Sequence, residues 1–499
     1  MAGAAFTLLE TKIADIHEAF TRRDITASKL VECYLARIDA YDRSGPEINS
    51  VISLNPTVEE DAAELDKRFA KGELGGPLCG IPIVVKDQID AVGMPTTLGS
   101  VLFKDYFPDR DATVIEKLRR AGAIILGKAT LGELGGGDAH GTLFGSTKNP
   151  YDLERTAGGS SGGSAAAISA NLATLALGQE GVASIRRPSA WNAAVGMRPS
   201  LGMVSRTGSY GGWPARNGSI GPMARTVEDL ARLLDVLVGY DPEDPTTAYG
   251  VRHIPKSFTA ALTRDGLRGV RIGIIRQRIG MGSDPDSADY KRVSAVFGRA
   301  VEELAAAGAV IVDPIVISKL DELLAKRAAA YTAESFMNWM SRSHEPPFRS
   351  YEDFISNPTY REVMWRRSGG RPPDWSGTHY EHLIAREELK TQLLTLMADH
   401  ELDVIVHKSV EHTPTLIRDG VNPPYLNQTG APHINTFLED VPSISVPAGV
   451  TDEGRPVGIT FLGASNTDAS MIRYAYAYEQ STLHRVPPMT TPPLPSEPQ

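Results

Sequence analysis

The sequence has few of the residues that build covalent or metal-bound frameworks. Its 499 residues include only two cysteines, which excludes a disulfide framework and a cysteine-based zinc or iron–sulfur site. Among its eleven histidines, His379 and His382 lie three residues apart, but no further ligands follow at matching spacing. No GxGxxG segment follows a predicted strand, so no dinucleotide site is indicated. We therefore expect neither a metal nor an organic cofactor.

Clusters of positive charge and long apolar runs are also missing. The formal net charge is −10, and the nearest candidates for a basic patch, Arg186-Arg187 and Arg366-Arg367, are pairs and not stripes. A net acidic surface repels phosphates, so nucleic-acid binding is not expected. No apolar run reaches the length of a membrane span, and the N-terminus lacks the basic region of a secretory signal. These absences predict a cytoplasmic protein that binds neither nucleic acid nor membrane.

What the chain does have is the apolar periodicity of an α/β protein. Residues 8–20 and 27–38 carry apolar positions three and four apart, which predicts two helices, the second capped by Thr26. Runs bounded by glycine and proline, Ile81–Val85 and Ala123–Leu126, predict buried strands. Because strands alternate with helices, the predicted fold class is α/β, with a large mixed β-sheet core covered by helices. Further strands are predicted at 175–177, 270–275, 310–316, 403–407, 443–446 and 457–461, and further helices at 114–120, 227–238 and 290–307.

The chain divides into a domain, a cap within that domain and a tail. Residues 1–486 are predicted to form a single domain, followed by an extended, disordered Pro-rich tail over residues 487–499. Within the domain, residues 245–400 are predicted to form a helical cap over the site. Because aromatic groups supply large apolar contact areas, this cap is expected to set the choice of substrate. Its aromatic residues include Tyr331, Phe336, Trp339, Trp365 and Trp375.

A run of glycine and serine, Gly158–Ser164, leads directly into an Ala-rich predicted helix. The run matches G-x-S-x-G at both Ser160 and Ser161, which is the nucleophile elbow of the α/β-hydrolases. An elbow needs a strand immediately before it, whereas the preceding NPYDLERTA is polar and turn-like. A phosphate loop is disfavoured because the required lysine is absent. A flexible linker is also disfavoured, because the run continues into a helix.

Two further segments complete a recognisable pattern. Lys86 ends the predicted strand in GIPIVVKD, and Ser184 lies in the small-residue turn of GQEGVASIRRP. Taken singly, these are an ordinary surface lysine and an ordinary loop serine. Together with GGSSGGSAAA they resemble the amidase signature family, and GSTKNPYD and GPMARTVEDLARLL are similar to family segments in the same order. The resemblance covers about residues 25–240 and 403–480, with little over about 245–400.

The resemblance implies a hydrolase that cleaves an amide-type C–N bond through a seryl acyl-enzyme. In that family pattern Lys86 is the base, Ser160 is a relay preceded by a cis peptide, and Ser184 is the nucleophile. General chemistry agrees, because a serine hydroxyl needs an adjacent base and a lysine serves as base only when neutral. At a pKa of about 10.4, roughly one lysine in 2,500 is neutral at pH 7, and burial lowers that pKa.

The loop before the nucleophile departs from the family pattern. Backbone N–H groups of Gly181, Val182, Ala183 and Ser184 are expected to form the oxyanion hole, because those donors belong to the main chain. The family usually carries Asp-Thr-Gly-Gly-Ser, whereas this chain has Glu180 followed by Gly-Val-Ala-Ser. Valine and alanine tolerate positive φ poorly, so the loop either uses ordinary backbone angles or is strained. The Val182 side chain is expected to narrow the space near the acyl group.

Other residues are candidates through the same resemblance. Gly135, Gly136 and Gly137 fall where the family lines its acyl pocket, and three glycines would leave room there. Trp191 is either a core aromatic or a pocket wall for substrate, with the core interpretation favoured. After it, Asn192-Ala193 replaces a Cys-Gly pair that the family tends to carry.

Three more residues are predicted to support the site. Ser161 either orients Lys86 or Ser160 or acts only as a helix N-cap. Glu180 and Arg186 are expected to form an ion pair behind the nucleophile loop.

Several functions stay open at this stage. Carbamate (urethane) hydrolysis would use the same triad, and some family members are urethanases. An amidotransferase A-type subunit is disfavoured by the charge of −10 and the lack of a basic face. A conventional Ser-His-Asp hydrolase would need His407, His412 or His433 near the nucleophile. The expected partner is a small-molecule amide or carbamate substrate, and the expected assembly is a monomer or homodimer.

Overall fold

The computed structural model describes residues 6–73, 75–215, 218–328, 332–370, 378–432 and 434–498. Within these ranges an eleven-stranded mixed sheet forms the centre, and two small two-stranded sheets lie apart from it. The strands are β1 Val51–Leu54, β2 Pro82–Lys86, β3 Ile124–Ala129, β4 His140–Gly141, β5 Gly145–Ser146, β6 Lys148–Asn149, β7 Asp152–Thr156, β8 Leu175–Glu180, β9 Val195–Arg198, β10 Ser219–Ala224, β11 Arg271–Ile275, β12 Val310–Ile315, β13 Val404–Lys408, β14 Ser443–Val450 and β15 Pro456–Leu462.

Helices surround this sheet and connect its strands. They are α1 Ile13–Arg22, α2 Ala27–Arg37, α3 Val58–Ala70, α4 Thr113–Arg120, α5 Gly162–Ser169, α6 Arg186–Trp191, α7 Val227–Leu237, α8 Thr247–Gly250, α9 Ala288–Ala306, α10 Leu320–Leu324, α11 Thr332–Met340, α12 Tyr351–Ser356, α13 Pro358–Arg367, α14 His379–Asp399, α15 Ile417–Val421 and α16 Asp468–Thr482. In the described part of the chain, no helix is long and apolar enough to span a membrane.

The order of strands brings two distant parts of the sequence side by side. The main sheet runs β1-β3-β2-β8-β10-β9-β14-β15-β13-β11-β12. Strand β2 is parallel to both β3 and β8, while β8 and β10 are antiparallel. The carboxyl ends of β2 and β8 therefore lie at the same edge of the sheet. The predicted α/β class with a large mixed sheet is confirmed.

Small side chains let α5 pack closely against this sheet. Every residue of α5 is buried, and its sequence GGSAAAIS contains little bulk. A Cβ on Gly163 would stand 2.5 Å from the carbonyl oxygen of Thr130 and 2.6 Å from that of Ser50. Glycine is therefore required there for close approach, and the helix that follows the Gly/Ser run is held deep in the core.

The helical cap is shorter than the predicted range 245–400. Its first part supplies β11 and β12, which form one edge of the main sheet, and α9 between them. The helical part begins at α10 and ends with α14. Phe336 and Trp339 are buried there, whereas Trp365 is 48% exposed. Tyr331 and Trp375 lie outside the described residues.

The prediction of a disordered tail is wrong for the residues described through 498. The tail is irregular, but Thr491 and Glu497 are buried. The guanidinium of Arg37, in α2, forms a buried ion pair with Glu497 at 2.8 Å and donates to the carbonyl oxygen of Thr491 at 2.9 Å. These contacts anchor the tail to the N-terminal helices.

Candidate active site

Lys86 lies at the carboxyl end of β2 with its side chain fully buried. Its Nζ lies 2.7 Å from Ser160 Oγ and donates to the carbonyl oxygen of Gln179 at 3.1 Å. No carboxylate within the described ranges forms an ion pair with this amine. Burial lowers the pKa of Lys86 well below its usual value, and Glu180 offsets only part of that effect. The side chain thus has both the position and the electrostatics of a neutral base.

Ser160 lies within the Gly/Ser run, two residues before the start of α5. The Gly159–Ser160 peptide bond is cis, as the family resemblance implies. The Ser160 carbonyl oxygen accepts a hydrogen bond from the Gly132 N–H at 3.0 Å. Its hydroxyl is buried and directed at Lys86. This is the geometry required of a group that passes a proton to Lys86.

Ser184 lies in the loop between β8 and α6, beside the relay serine. Its carbonyl oxygen accepts from the Ser161 N–H at 3.0 Å, which holds the two serine segments together. The Ser184 side chain is only partly buried. Its hydroxyl makes no hydrogen bond among the residues described, so no bond joins it to Ser160 in this state. A partly exposed hydroxyl without a competing partner is available to substrate.

The loop 181–184 follows ordinary backbone angles. No residue of the segment has positive φ, so Val182 and Ala183 impose no left-handed strain. The Arg186 guanidinium donates to the Val182 carbonyl oxygen at 2.7 Å. Because C=O and N–H point in opposite directions across a trans peptide, the Ala183 N–H faces away from Arg186. In the described structure the N–H groups of residues 181–184 donate to no acceptor, and their role as an oxyanion hole stays a prediction.

The predicted ion pair behind this loop is present. Arg186 Nε lies 2.7 Å from Glu180 Oε1, and both side chains are fully buried. The other Glu180 oxygen accepts from the backbone N–H groups of Ile185 and Arg186 at 2.8 and 2.9 Å. Burial raises the pKa of Glu180, but Arg186, Arg198 and these hydrogen bonds hold it below its usual value. The Glu180 carboxylate therefore holds the start of α6 close to the end of β8.

Of the two roles predicted for Ser161, the helix N-cap is not observed, and the link to Lys86 is indirect, through Gln179. Ser161 occupies the N-cap position of α5, but its hydroxyl caps no helix N–H. Instead its Oγ accepts from the Gln179 N–H at 3.2 Å and lies 3.3 Å from the Gln179 carbonyl oxygen. Since that carbonyl also accepts from Lys86, Ser161 fixes the strand end that orients the base.

The glycine segment 135–137 does not leave the open room that was expected. A Cβ on Gly136 would overlap the Arg367 guanidinium, and one on Gly137 would stand 2.8 Å from Asn427 Nδ2. Arg367 is half-buried at the end of α13 and donates to the Glu133 carbonyl oxygen at 3.4 Å. Two side chains therefore fill the space above two of the three glycines, and only Gly135 faces other groups.

Trp191 is a core residue, the favoured of its two interpretations, and not a pocket wall that contacts substrate. Its indole is fully buried and donates to the His412 carbonyl oxygen at 2.9 Å. The ring packs against Gly158, where a Cβ would stand 2.7 Å from the indole. Ala193, two residues later, has φ of +48°, a conformation that favours glycine. Trp191 thus supports the Gly/Ser run from behind.

Arg187 is a site residue that the sequence did not reveal. In the sequence it is only half of an arginine pair, yet its guanidinium is buried and lies 2.7 Å from Asp138. It also donates to the Gly159 carbonyl oxygen at 2.7 Å. No local signal marks this role, because the three residues are far apart in sequence.

A second buried lysine lies one strand away. Lys128, in β3, is fully buried and forms an ion pair with Asp87 at 3.0 Å. Its Nζ also donates to the Pro95 carbonyl oxygen and to Thr96 Oγ1. This amine is thus occupied by a carboxylate and two further oxygen acceptors.

Histidine and metal chemistry find no support in the described residues. Burial lowers the pKa of His407 to about 3, and its Nδ1 lies 2.7 Å from the Lys408 carbonyl oxygen. His412 Nε2 accepts from the Asp284 N–H. Neither ring bonds to Ser184, and His433 lies outside the described residues. Across the described ranges, no three metal-ligating side chains come together in a group that could hold an ion.

The chain is similar over nearly its whole length to proteins of one family. A sequence model of the family described as Amidase matches residues 29–472. The chain is 31% identical over 487 residues to the A-type subunit of the glutamyl-tRNA(Gln) amidotransferase of Thermosynechococcus vestitus, covering 94% of this chain and 98% of that protein. It is also 31% identical to a probable amidase of Arabidopsis thaliana, covering 97% of this chain and 92% of that protein.

A solved structure shows the same architecture. Native peptide amidase from Stenotrophomonas maltophilia matches with a TM-score of 0.82 at 32% identity, over 97% of this chain and 99% of that one. The family match at 29–472 also includes residues 245–400, where the sequence alone showed little resemblance. That lapse reflected the absence of recognisable motifs rather than a foreign insertion.

Proposed function

We propose that this chain, which belongs to the amidase (amidase signature) family and is an amide-hydrolysing enzyme, cleaves a small-molecule amide through an acyl-enzyme on Ser184. The observation that carries the proposal is the buried Lys86 amine, 2.7 Å from Ser160 Oγ and lacking a carboxylate partner in the described structure. A conventional histidine base would need a different arrangement.

In the proposed first step, a proton moves from Ser184 through Ser160 to Lys86. A neutral Nζ that donates to the Gln179 carbonyl keeps its lone pair directed at the Ser160 hydroxyl. The Ser160 oxygen then accepts the Ser184 proton as Ser184 Oγ attacks the carbonyl carbon. The negative oxygen that develops is met by N–H groups of residues 181–184, whose orientation Arg186 fixes through the Val182 carbonyl.

In the second half, the same groups work in reverse. The Lys86 ammonium returns the proton through Ser160 to the leaving nitrogen, and the C–N bond breaks to give the acyl-enzyme. Water then attacks the ester carbon and gives up a proton through Ser160 to Lys86. The bond between that carbon and Ser184 Oγ breaks, the carboxylic acid leaves, and the proton returns through Ser160 to Ser184 Oγ. No cofactor enters either half-reaction.

The test is a substrate panel on the purified chain. Aryl amides, fatty amides, peptide amides and aryl carbamates would be compared by kcat/KM, with Ser184→Ala as the inactive control. We expect hydrolysis of at least one amide class and trapping of acyl groups by hydroxylamine. Failure to turn over any amide or carbamate would contradict the proposal.

Carbamate hydrolysis is the alternative within the same machinery. A carbamate carbonyl would meet the same nucleophile and the same N–H donors, so the geometry alone does not separate the two. The Arg367 and Asn427 side chains reduce the room above Gly136 and Gly137, which favours a compact acyl part. The ratio of carbamate to amide kcat/KM in the panel decides between them.

An amidotransferase subunit is a second candidate because the Thermosynechococcus vestitus relative bears that name. We propose that the chain works instead as a monomer or homodimer, with no other protein required. Assaying ammonia release from glutamine with the purified chain, with and without tRNA, separates the two. Strong glutaminase activity that appears only with added partner chains would favour the amidotransferase.

We also propose that α11–α13, within the helical part of the cap, set substrate choice. Helix α11 packs on the loops that follow β2 and β9, because Ser335 Oγ donates to the Gly212 carbonyl oxygen and Trp339 Nε1 donates to Asp90 at 3.0 Å. Exposed Trp365 is the residue to test, with buried Phe336 as its matched control. Trp365→Ala should change the aryl-to-alkyl ratio of kcat/KM without loss of stability, whereas Phe336→Ala should lower stability.

A further inference from the structure

Three segments of the active site meet at one buried guanidinium. Arg187 is the second residue of α6, which begins two residues after Ser184, and its side chain is 1% exposed. It lies 2.7 Å from Asp138, which follows the glycine segment 135–137. It donates to the carbonyl oxygen of Gly159, immediately before Ser160, at 2.7 and 3.2 Å. The helix that follows Ser184, the segment that precedes Ser160 and the residue that follows the glycine segment are thus all bound through this one guanidinium.

The bonds to Gly159 matter because of what lies next to it. The carbonyls on either side are also held: that of Gly158 by the Ala139 N–H at 2.8 Å, and that of Ser160 by the Gly132 N–H at 3.0 Å. Arg187 supplies the one charged donor in this series. Its two bonds fix the peptide plane from which the Ser160 side chain extends toward Lys86.

A carboxylate balances the charge on Arg187, and an aromatic ring packs near its guanidinium group. Asp138 neutralises that charge in the core, and the Asp138 N–H in turn donates to Asn427 Oδ1 at 2.8 Å. The guanidinium carbon lies 5.2 Å from the centre of the Trp191 ring. An arginine bonds a carboxylate and a carbonyl through different nitrogens of one rigid planar fork, and the single nitrogen of a lysine does not reproduce the spacing between those donors.

We propose that Arg187, paired with Asp138, is the positioning residue that aims the relay serine between Lys86 and Ser184. This role rests on the proposed function of Ser184 as nucleophile. Arg187 touches no reacting atom and acts only through the Gly159 carbonyl. A displacement of about 1 Å in such a group costs roughly 100-fold in rate.

The test uses a fluorophosphonate, which reports on the nucleophile without a known substrate. Ser184 Oγ forms a bond to phosphorus, the P–F bond breaks, and fluoride leaves with that electron pair. The hydroxyl proton passes through Ser160 to Lys86. The inactivation rate constant and the inhibitor binding constant are measured separately for the parent chain and each variant.

We expect Arg187→Met to lower the inactivation rate constant about 100-fold with little change in the binding constant. Arg187→Lys keeps the charge but loses the planar guanidinium fork, so its inactivation rate constant should lie between those of the parent and Arg187→Met. Asp138→Asn keeps the donors to Gly159 and should lose least. A residue that merely stabilised the fold would move the unfolding temperature and leave the rate constant of the folded fraction unchanged.

Arg37→Lys is the matched control. Arg37 is likewise a buried guanidinium bonded to a carboxylate and to backbone carbonyls, but none of those groups belongs to the catalytic segments. It should lower the unfolding temperature without changing the inactivation rate constant. If the parent and Arg187→Lys chains are inactivated equally fast, the positioning role is wrong while the nucleophile assignment stands. If the parent chain is not modified at Ser184, both are wrong.

Discussion

Strands β2 and β3 are neighbours, and each carries a lysine near its carboxyl end that is completely buried. Lys128 of β3 is matched by Asp87, 3.0 Å away, and by two further oxygen acceptors. Lys86 of β2 has a hydroxyl and a carbonyl for neighbours and no carboxylate at ion-pair distance in the described residues. Burial is the same in both strands, but the compensation for burial differs.

This difference separates a structural lysine from a base. A buried ammonium is tolerated when a carboxylate and acceptors replace its water, as at Lys128. Where no carboxylate replaces the water around a buried lysine, burial favours the neutral amine, as the lowered pKa of Lys86 indicates. The proposed chemistry of the site thus depends on the lack of an ion pair at Lys86.

The largest effect is expected from removing the uncompensated amine. Lys86→Met should lower kcat by a factor of at least about 10³ on any substrate that the parent hydrolyses, because no other base lies within hydrogen-bond distance of Ser160 Oγ in the described part of the chain. Ser184→Ala should be at least as severe. Circular dichroism checks that both variants keep the fold. Near-normal kcat in Lys86→Met would contradict the assignment of Lys86 as the base, which is what distinguishes it from Lys128.

Removing the compensated amine should affect stability instead. Lys128→Met leaves Asp87 buried without its partner, so the free energy of unfolding should fall by about 3–5 kcal/mol. Denaturant unfolding measures this change. The double variant Asp87→Asn with Lys128→Met is the control and should recover part of the loss. A loss below about 1 kcal/mol in the single variant would show that the pair contributes little.

The pH dependence of the rate should follow Lys86 alone. Because the free enzyme must lose a proton from this amine, kcat/KM should rise about tenfold per pH unit up to the lowered pKa of Lys86 and then level off. Glu180 raises that pKa, so Glu180→Gln should move the midpoint to lower pH even as the plateau falls. A profile that is highest at acid pH would contradict a lysine base.

The smallest expected effect is on stability, and its sign differs between the two lysines. Replacing Lys128 should lower the free energy of unfolding, whereas replacing Lys86 should raise it near neutral pH. The pKa of Lys86 is lower in the folded state than in the unfolded chain, so folding releases a proton between the two values. The resulting cost is absent above the unfolded pKa of about 10.4 and complete below the folded pKa, at about 1.4 kcal/mol per unit of lowering. Lys86→Met should therefore be more stable than the parent near neutral pH, and the gain should disappear as the pH rises toward about 10.4. Equal stability at all pH values would indicate that Lys86 stays charged.

Local chemistry could be predicted from the sequence. Thr26 caps α2 as expected, by accepting from the Lys29 N–H at 3.1 Å. The strand predicted at Ile81–Val85 is observed one residue later, which makes Lys86 its last residue. Both results follow from signals that extend over a few neighbouring residues: a capping side chain, and an apolar run bounded by Gly and Pro.

Long-range contacts could not be predicted in this way. Nothing near Gly136 indicates that Arg367 fills the space above it, and nothing near Arg187 indicates Asp138 or Gly159 as its partners. These contacts depend on which strands are adjacent, and strand order is a property of the whole sheet. The prediction for the tail was wrong for the same reason. Its proline content is typical of disorder, but Arg37, which anchors it, lies far away in the sequence, in α2.

That anchor has a consequence for the order in which the protein is made. Arg37 is buried in the finished fold, yet its carboxylate partner is Glu497, 460 residues later. At about 5–20 residues per second, the two are synthesised roughly 23–92 seconds apart. During that interval the guanidinium lacks its carboxylate, so the packing around the end of α2 cannot be completed until Glu497 has been made. Helix α2 is thus synthesised long before its last contacts can form.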